Sequence, residues 1–309
     1  MLLFLLLLLL LLLLFGLVFR LTNVFPFFSF SALTRLGIPA NASVYMSFDS
    51  ILSNVIDNQG TASITGTLSD LSISSNCLIG NCLLYLSENS VLLLGSSGIS
   101  INSTSGWTLS AWVSDLKPTS QYRTLFRGAG PNGNHPVISL VNTDLLGTWE
   151  NSVLQFFSSG YHLNALIAGS WHHIVAVGLG GETKYYINGS YVGSAAFQST
   201  TNVYGVGNYQ VDGGQTFADL IDELRIWTTA LSEEDVIRLY NATLCNAALV
   251  SATSTIGPLT TTVAATSLAT TTVSSYCPSE WVKVVIGLAT CVYIIYAQLS
   301  ILTVGFYRS

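Results

Sequence analysis

The order of apolar and polar positions divides the chain into four zones. From Leu2 to Phe19 no side chain is polar or charged, and Arg20 closes the run. From Val44 to Thr229, short stretches of Val, Ile, Tyr, Phe, Trp and Thr are broken by Gly, Asn and Pro at the intervals of an all-β sandwich. Strands are predicted over Trp107–Ser114, Tyr122–Arg127, Val137–Asn142, Val153–Phe157, His172–Gly178 and Lys184–Asn188. Asn188-Gly189, set between Lys184–Ile187 and Tyr191-Val192, predicts a tight hairpin turn. A short helix is predicted over Leu231–Tyr240: Ser232 caps it, Asp235 stands three residues on, and Val236, Ile237, Leu239 and Tyr240 form an apolar side. In the third zone, Ser251–Ser275, 14 of 25 residues are Ser or Thr and none is charged or aromatic, so it cannot build a core. In the fourth, Val284–Val304 runs 21 residues without a charge, enough for a helix to cross a hydrocarbon layer of about 30 Å.

These zones predict a domain order. Residues 1–31 read as a signal peptide, with Ser29 and Ser31 as the small residues before cleavage, or as a retained anchor. Retention would let Arg20 and Arg35 hold the following chain in the cytosol and strand the glycosylation sequons there, so cleavage is favoured. A folded domain is expected over 42–246, a Ser/Thr-rich stalk over 247–280, a transmembrane helix over 282–304 and a short tail over 305–309. The expected location is the plasma membrane, with a single pass and an extracellular N-terminal domain. A glycosylphosphatidylinositol signal after Ser274 or Ser275 is the alternative, less favoured because the tail is long and ends with Arg308.

Export changes how the remaining chemistry is read. The sequons stand at Asn41, Asn102, Asn188 and Asn241. Of five cysteines, Cys291 lies in the C-terminal apolar run, leaving Cys77, Cys82, Cys245 and Cys277 for an oxidising compartment. Cys77 and Cys82 flank a turn-like spacer that suits a disulfide, and two buried thiols are the other reading. A net charge of −6 with 8% charged residues leaves no basic stripe, which argues against a nucleic-acid partner.

Several motifs occur in an order that resembles one family. They are Trp107-Thr-Leu-Ser-Ala-Trp112-Val, Arg123-Thr-Leu-Phe126, Gly169-Ser-Trp171-His-His173, Lys184-Tyr-Tyr-Ile-Asn188-Gly189, and Phe217-Ala-Asp-Leu-Ile-Asp222-Glu223-Leu-Arg225-Ile-Trp227 followed by Ala230-Leu-Ser-Glu-Glu-Asp235. With Tyr45-Met-Ser-Phe48-Asp49 and Asp57-Asn-Gln-Gly60 at the start, the stretch from Val44 to Tyr240 is similar to the laminin G-like, pentraxin-related jelly rolls of the concanavalin A-like class. The resemblance implies a two-sheet antiparallel β-sandwich with about six or seven strands per sheet. It also implies a Ca²⁺ site near the joined termini, where Asp222, Asp49 and Asp57 hold the matching positions. The alternative is that Asp222 accepts loop amides and Glu223 pairs with Arg225 or Arg123.

His172 and His173 are successive on a predicted strand and point to opposite faces, so they cannot chelate together; one is expected to pack and the other to be solvated or hydrogen-bonded. Asp222 and Glu223 are likewise expected on opposite faces, unlike the carboxylate pair of a glycosidase, and no nucleophile elbow or phosphate loop occurs. The expectation is therefore no enzyme but a surface binding or adhesion module for a glycan or protein ligand. Trp149, Tyr161, Tyr204 and Tyr209 are the aromatic candidates for ligand contact. A glycosylated surface-coat protein is the alternative, and a glycoside hydrolase stands third.

Overall fold

The computed structural model describes residue 39 and residues 42–255, apart from 50, 53, 103, 118–121 and 210–213. The expected signal segment, Asn41, most of the stalk and the expected transmembrane helix lie outside the described residues. Among the described residues, no helix is long and apolar enough to cross a membrane.

The strands are β1 (Val44–Met46), β2 (Ile51–Leu52), β3 (Val55–Asp57), β4 (Thr65–Ser69), β5 (Leu71–Ser74), β6 (Cys82–Tyr85), β7 (Val91–Leu94), β8 (Trp107–Leu116) and β9 (Arg123–Gly128). They continue with β10 (His135–Ser139), β11 (Leu145–Glu150), β12 (Gln155–His162), β13 (His172–Leu179), β14 (Glu182–Ile187), β15 (Ser190–Ala195), β16 (Val203–Val206) and β17 (Ala218–Trp227). One sheet runs β15-β14-β13-β8-β17-β6-β5 with β1 also on β17; the other runs β12-β11-β10-β9-β16-β7-β4-β3-β2. Every ladder between named strands is antiparallel. The two-sheet sandwich is as expected, with eight and nine strands among the described residues rather than six or seven.

Alternation explains the core. Along β8, Trp107, Leu109, Ala111 and Val113 point inward and meet Phe126, Val137, Leu146, Val203 and Val206 from the other sheet. Burying side chains of this size contributes about 1.5–3 kcal/mol each. Two tyrosines tie the layers together: Tyr85 donates its hydroxyl to Val206 O at 2.8 Å, and Tyr185 donates to Pro136 O at 2.8 Å. Gly178 is bare because a Cβ there would come within 2.2 Å of the Trp107 ring.

The predicted hairpin is present: Ile187 faces Ser190, and Asn188 and Gly189 both take positive φ, 52° and 78°. Two local expectations fail. Val153 and Leu154 form the turn before β12, Leu154 with φ 54°, and β11 lies where no strand was read. The helix also exceeds its expected span. α1 covers Glu233–Thr255 and enters the segment assigned to the stalk, and at its start Asp235 N–H donates to Ser232 Oγ at 3.1 Å as the capping residues require.

Candidate functional site

The outer face of the nine-stranded sheet carries an aromatic and cationic platform. In β11, Leu146 and Thr148 turn inward, Thr148 bonding Tyr185 at 2.6 Å, so Trp149 turns outward. His135 is its cross-strand partner, and a register shift between His135 and Ile138 keeps His135 on the outer face while Val137 stays in the core. The His135 ring lies 5.2 Å from that of Tyr209, whose face the Arg127 guanidinium covers at 4.4 Å. Tyr122 meets Trp149 edge-on at 6.0 Å, and Phe156 is the cross-strand partner of Trp149 on the other side.

Buried amides hold the rings in place. Asn208 donates to Glu88 O and Ser90 O at 2.6 and 3.0 Å and accepts the N–H groups of Tyr209 and Gln215, which fixes the loop that presents Tyr209. Trp149 Nε1 donates to Asn151 Oδ1 at 3.3 Å, and Asn151 N–H donates to Asn134 Oδ1 at 3.0 Å. Burial, followed by the charge of Arg127, lowers the pKa of His135 to about 3, so its imidazole is neutral at ordinary pH. Among the described residues, His135 Nδ1 and Arg127 Nε are buried without partners.

A second polar cluster lies on the outer face of the eight-stranded sheet. Here β17 bulges: Asp222 faces Trp112 and Arg225 faces Ser110, so one extra residue is accommodated between them, with Glu223 at φ 52°. The bulge corrects the expectation that Asp222 and Glu223 point to opposite faces. Glu223 bonds Arg225 at 2.5 Å on the same side, and Tyr45 donates its hydroxyl to Glu223 at 3.2 Å. Asp222 accepts Ile79 N–H at 3.1 Å and Glu223 N–H at 2.7 Å; Asp49 accepts Asn81 N–H at 2.9 Å. Both aspartates thus clamp the loop closed by the Cys77–Cys82 disulfide. Burial above all, then the charges of Glu223 and Asp49, raise the pKa of Asp222 to about 8.

Asp49 and Asp222 supply two carboxylates, the hard oxygen ligands a cation such as Ca²⁺ takes, against one loop. Asp57 does not join them: it lies exposed on β3 opposite Thr65, and among the described residues no group of three or more His, Cys, Asp or Glu is disposed to hold a metal. The proposed alternative contacts, Asp222 to loop amides and Glu223 to Arg225, are both present.

The other predicted residues fall as follows. Trp149 and Tyr209 meet on the platform through His135, whereas Tyr161 packs against the core cluster and Tyr204 sits half-buried on β16, apart from it. His173 is fully buried against Trp112 at 4.9 Å and bonds Ser110 at 2.8 Å, while His172 Nε2 bonds Ile167 O at 2.9 Å. Asn102 and Asn241 are exposed; Asn188 is engaged in its turn, its Oδ1 accepting His173 N–H at 2.9 Å. Cys77 and Cys82 are joined as expected, and Cys245 is also disulfide-bonded. Sequence reasoning missed His135, Arg127, Tyr122 and Phe156. Only the sequence Asn134-His135-Pro136 before a predicted strand signalled the first of these.

A two-layer antiparallel sandwich with one outer face holding a loop clamp and the other an aromatic platform defines a jelly-roll domain. Residues 87–237 match the family model of the concanavalin A-like lectin/glucanases superfamily. No curated protein matches the sequence. Among solved structures, domain 4 of the extracellular arabinanase AbnA from Geobacillus stearothermophilus, in complex with arabinotriose, is similar at 23% identity and TM-score 0.48, over 65% of this chain and 98% of that one. The binding domain of Paraclostridial Mosquitocidal Protein 1 is similar at 16% identity and TM-score 0.50, over 65% of this chain and 52% of that one. The Trypanosoma rangeli sialidase in complex with sialic acid is similar at 12% identity and TM-score 0.47; this chain spans about a third of its length, 32%, with 64% of its own. These likenesses are of fold.

Proposed function

We propose that the protein is a non-catalytic binding module of the cell surface that recognises a glycan through the Trp149, His135 and Tyr209 platform. The observation that carries this reading is the gathering of two half-buried rings, Trp149 from β11 and Tyr209 from a loop, around buried His135 on one sheet face, with buried Asn208 and Asn134 holding them. Rings presented by a rigid scaffold give a sugar a surface to stack on, and neighbouring polar groups orient it. Asp222 and Glu223 are unsuited to hydrolysis because both are buried and Glu223 is spent on Arg225. The Ser110–His173 pair is closed off in the same way. Attachment by the apolar C-terminal segment, an extracellular domain and Ca²⁺ at Asp49 and Asp222 belong to the same proposal.

The test is binding of the purified protein to a glycan array, alongside Trp149→Ala and Tyr209→Ala. The expected result is at least one glycan class bound by the wild type and lost in both variants, with melting temperature unchanged. Silence on the array and on a cell-surface protein screen would replace this reading with that of a structural coat.

A further inference from the structure

We infer that the ligand of this platform is an acidic saccharide, one whose carboxylate or sulfate is set against Arg127. The inference rests on the glycan-binding reading above and adds the chemical class of the ligand.

Arg127 is distinguished by the company it lacks. Lys117 pairs with Asp219, Arg123 with Asp144, Lys184 with Glu182, Arg225 with Glu223, and Arg238 with Glu234 and Asp235. Among the described residues, Arg127 is the one Lys or Arg without a carboxylate, although it is only 6% exposed. Its Nη1 and Nη2 donate to the carbonyls of Gly128 and Gly130 at 3.0 and 3.1 Å, and its Nε has no partner among the described residues. Carbonyl dipoles offset part of the cost of burying a guanidinium but leave its charge uncompensated.

Among the described residues, the side chains around these rings do not supply the missing charge. Tyr209 lies on the guanidinium and His135 lies against Tyr209, with Trp149 and Tyr122 beyond; none is an acid. The neutral state of His135 follows from its burial first, and Arg127 adds to it by opposing a second positive charge beside it. A ligand stacked on these rings brings its own substituents close to Arg127. One negative charge about 6 Å away, at an effective dielectric of about 20, favours binding by about 100-fold, and desolvation of the ligand's acid reduces this to about 10-fold.

The experiment compares matched pairs that differ in charge alone or nearly so: sialyllactose and lactose, sulfated and unsulfated N-acetyllactosamine, tetragalacturonate and its methyl ester. Wild type, Arg127→Gln and Arg127→Lys are titrated with each pair at low and high salt. The expected result is about a 10-fold preference for the acidic member of at least one pair, shrinking with salt. It should be lost in Arg127→Gln, each neutral member serving as the reference for its acidic partner, and kept in part by Arg127→Lys, which preserves the charge. Equal binding within every pair, or an acidic preference that survives in Arg127→Gln, overturns the inference and leaves the platform reading in place. Silence across all pairs and the wider array removes both.

Discussion

The pH dependence of stability tests the two buried clusters together. His135 and His173 are neutral in the folded state, each with pKa lowered to about 3, by burial first and then by a nearby arginine. Asp222 has pKa raised to about 8 by burial first. In the unfolded chain the histidines titrate near 6.5 and the aspartate near 3.9. Between about pH 6.5 and 8 the folded state holds one proton, on Asp222, that the unfolded chain lacks, so stability falls as pH rises, by about 1.4 kcal/mol per unit. Between about pH 4 and 6.5 the unfolded chain binds two histidine protons against that single one, so stability falls as pH falls, again by about 1.4 kcal/mol per unit.

The expected curve is therefore a maximum near pH 6.5 with two limbs, the alkaline one amounting to about 2 kcal/mol at pH 8. Urea unfolding of the purified protein at half-unit pH steps, in chelator, measures it. Asp222→Asn should abolish the alkaline limb and steepen the acid one to about 2.7 kcal/mol per unit, because the two histidines then act unopposed. Saturating Ca²⁺ should also flatten the alkaline limb if Asp49 and Asp222 hold the ion, since a cation favours the carboxylate. Flat stability from pH 6.5 to 8 in chelator, or an alkaline limb that persists in Asp222→Asn, would refute the reasoning.

Three further outcomes are expected. Replacing Cys77 and Cys82 by Ser should cost about 2 kcal/mol, the small value set by a loop of sequence separation 5, and denaturant unfolding measures it. Peptide mass spectrometry of protein from a secreting host should find glycan at Asn102 and Asn241 and none at Asn188, whose amide bonds His172 at 3.2 Å and whose carbonyl holds His173 N–H; full occupancy at Asn188 would contradict the turn. Arg123→Met should cost about 3–5 kcal/mol by leaving Asp144 buried without its charge partner, and the double change with Asp144→Leu should recover much of that loss in thermal unfolding.

Much of the fold was legible because its central strands obey simple alternation. Trp107 to Val113 places every second side chain in the core, and Asn188-Gly189 supplies the two positive-φ residues a tight hairpin needs. The failures have local causes. β11 carries Leu145, Leu146 and Gly147 in succession, which hides its alternation, and Gly147 is needed because a Cβ would come within 2.6 Å of the Phe156 ring. The Ser- and Thr-rich composition after Asn246 masked the continuation of α1, because weak intrinsic propensity does not forbid a helix already nucleated at a capped end.

The site was half legible for a related reason. Trp149 and Tyr209 were named for their rings, yet an Arg and a His in a strand ordinarily read as solvent-facing, and only cross-strand register and the shift after His135 bring Arg127 and His135 to those rings. The bulge at Glu223 works against sequence reading in the same way. It breaks the two-residue period at one position and puts Glu223 on the same face as Asp222, a placement that side-chain alternation does not encode.

These two irregularities assign different roles to the two outer faces. On the eight-stranded sheet, Val175, Val177 and Tyr186 are sealed by Val236 with Ala230 and Leu231, Tyr240 stacks on Trp112 at 5.5 Å, and the disulfide loop closes over Asp222. Its polar groups are consumed in holding the structure together. On the nine-stranded sheet, among the described residues, the bonds of Trp149 and Tyr209 fix these rings in place and leave both half-buried, with His135 buried between them. The proposed glycan-binding reading accordingly places recognition on the nine-stranded sheet. Mutations at Asp222, Glu223 or His173 should consequently alter stability, and mutations at Trp149, Tyr209 or Arg127 should alter binding.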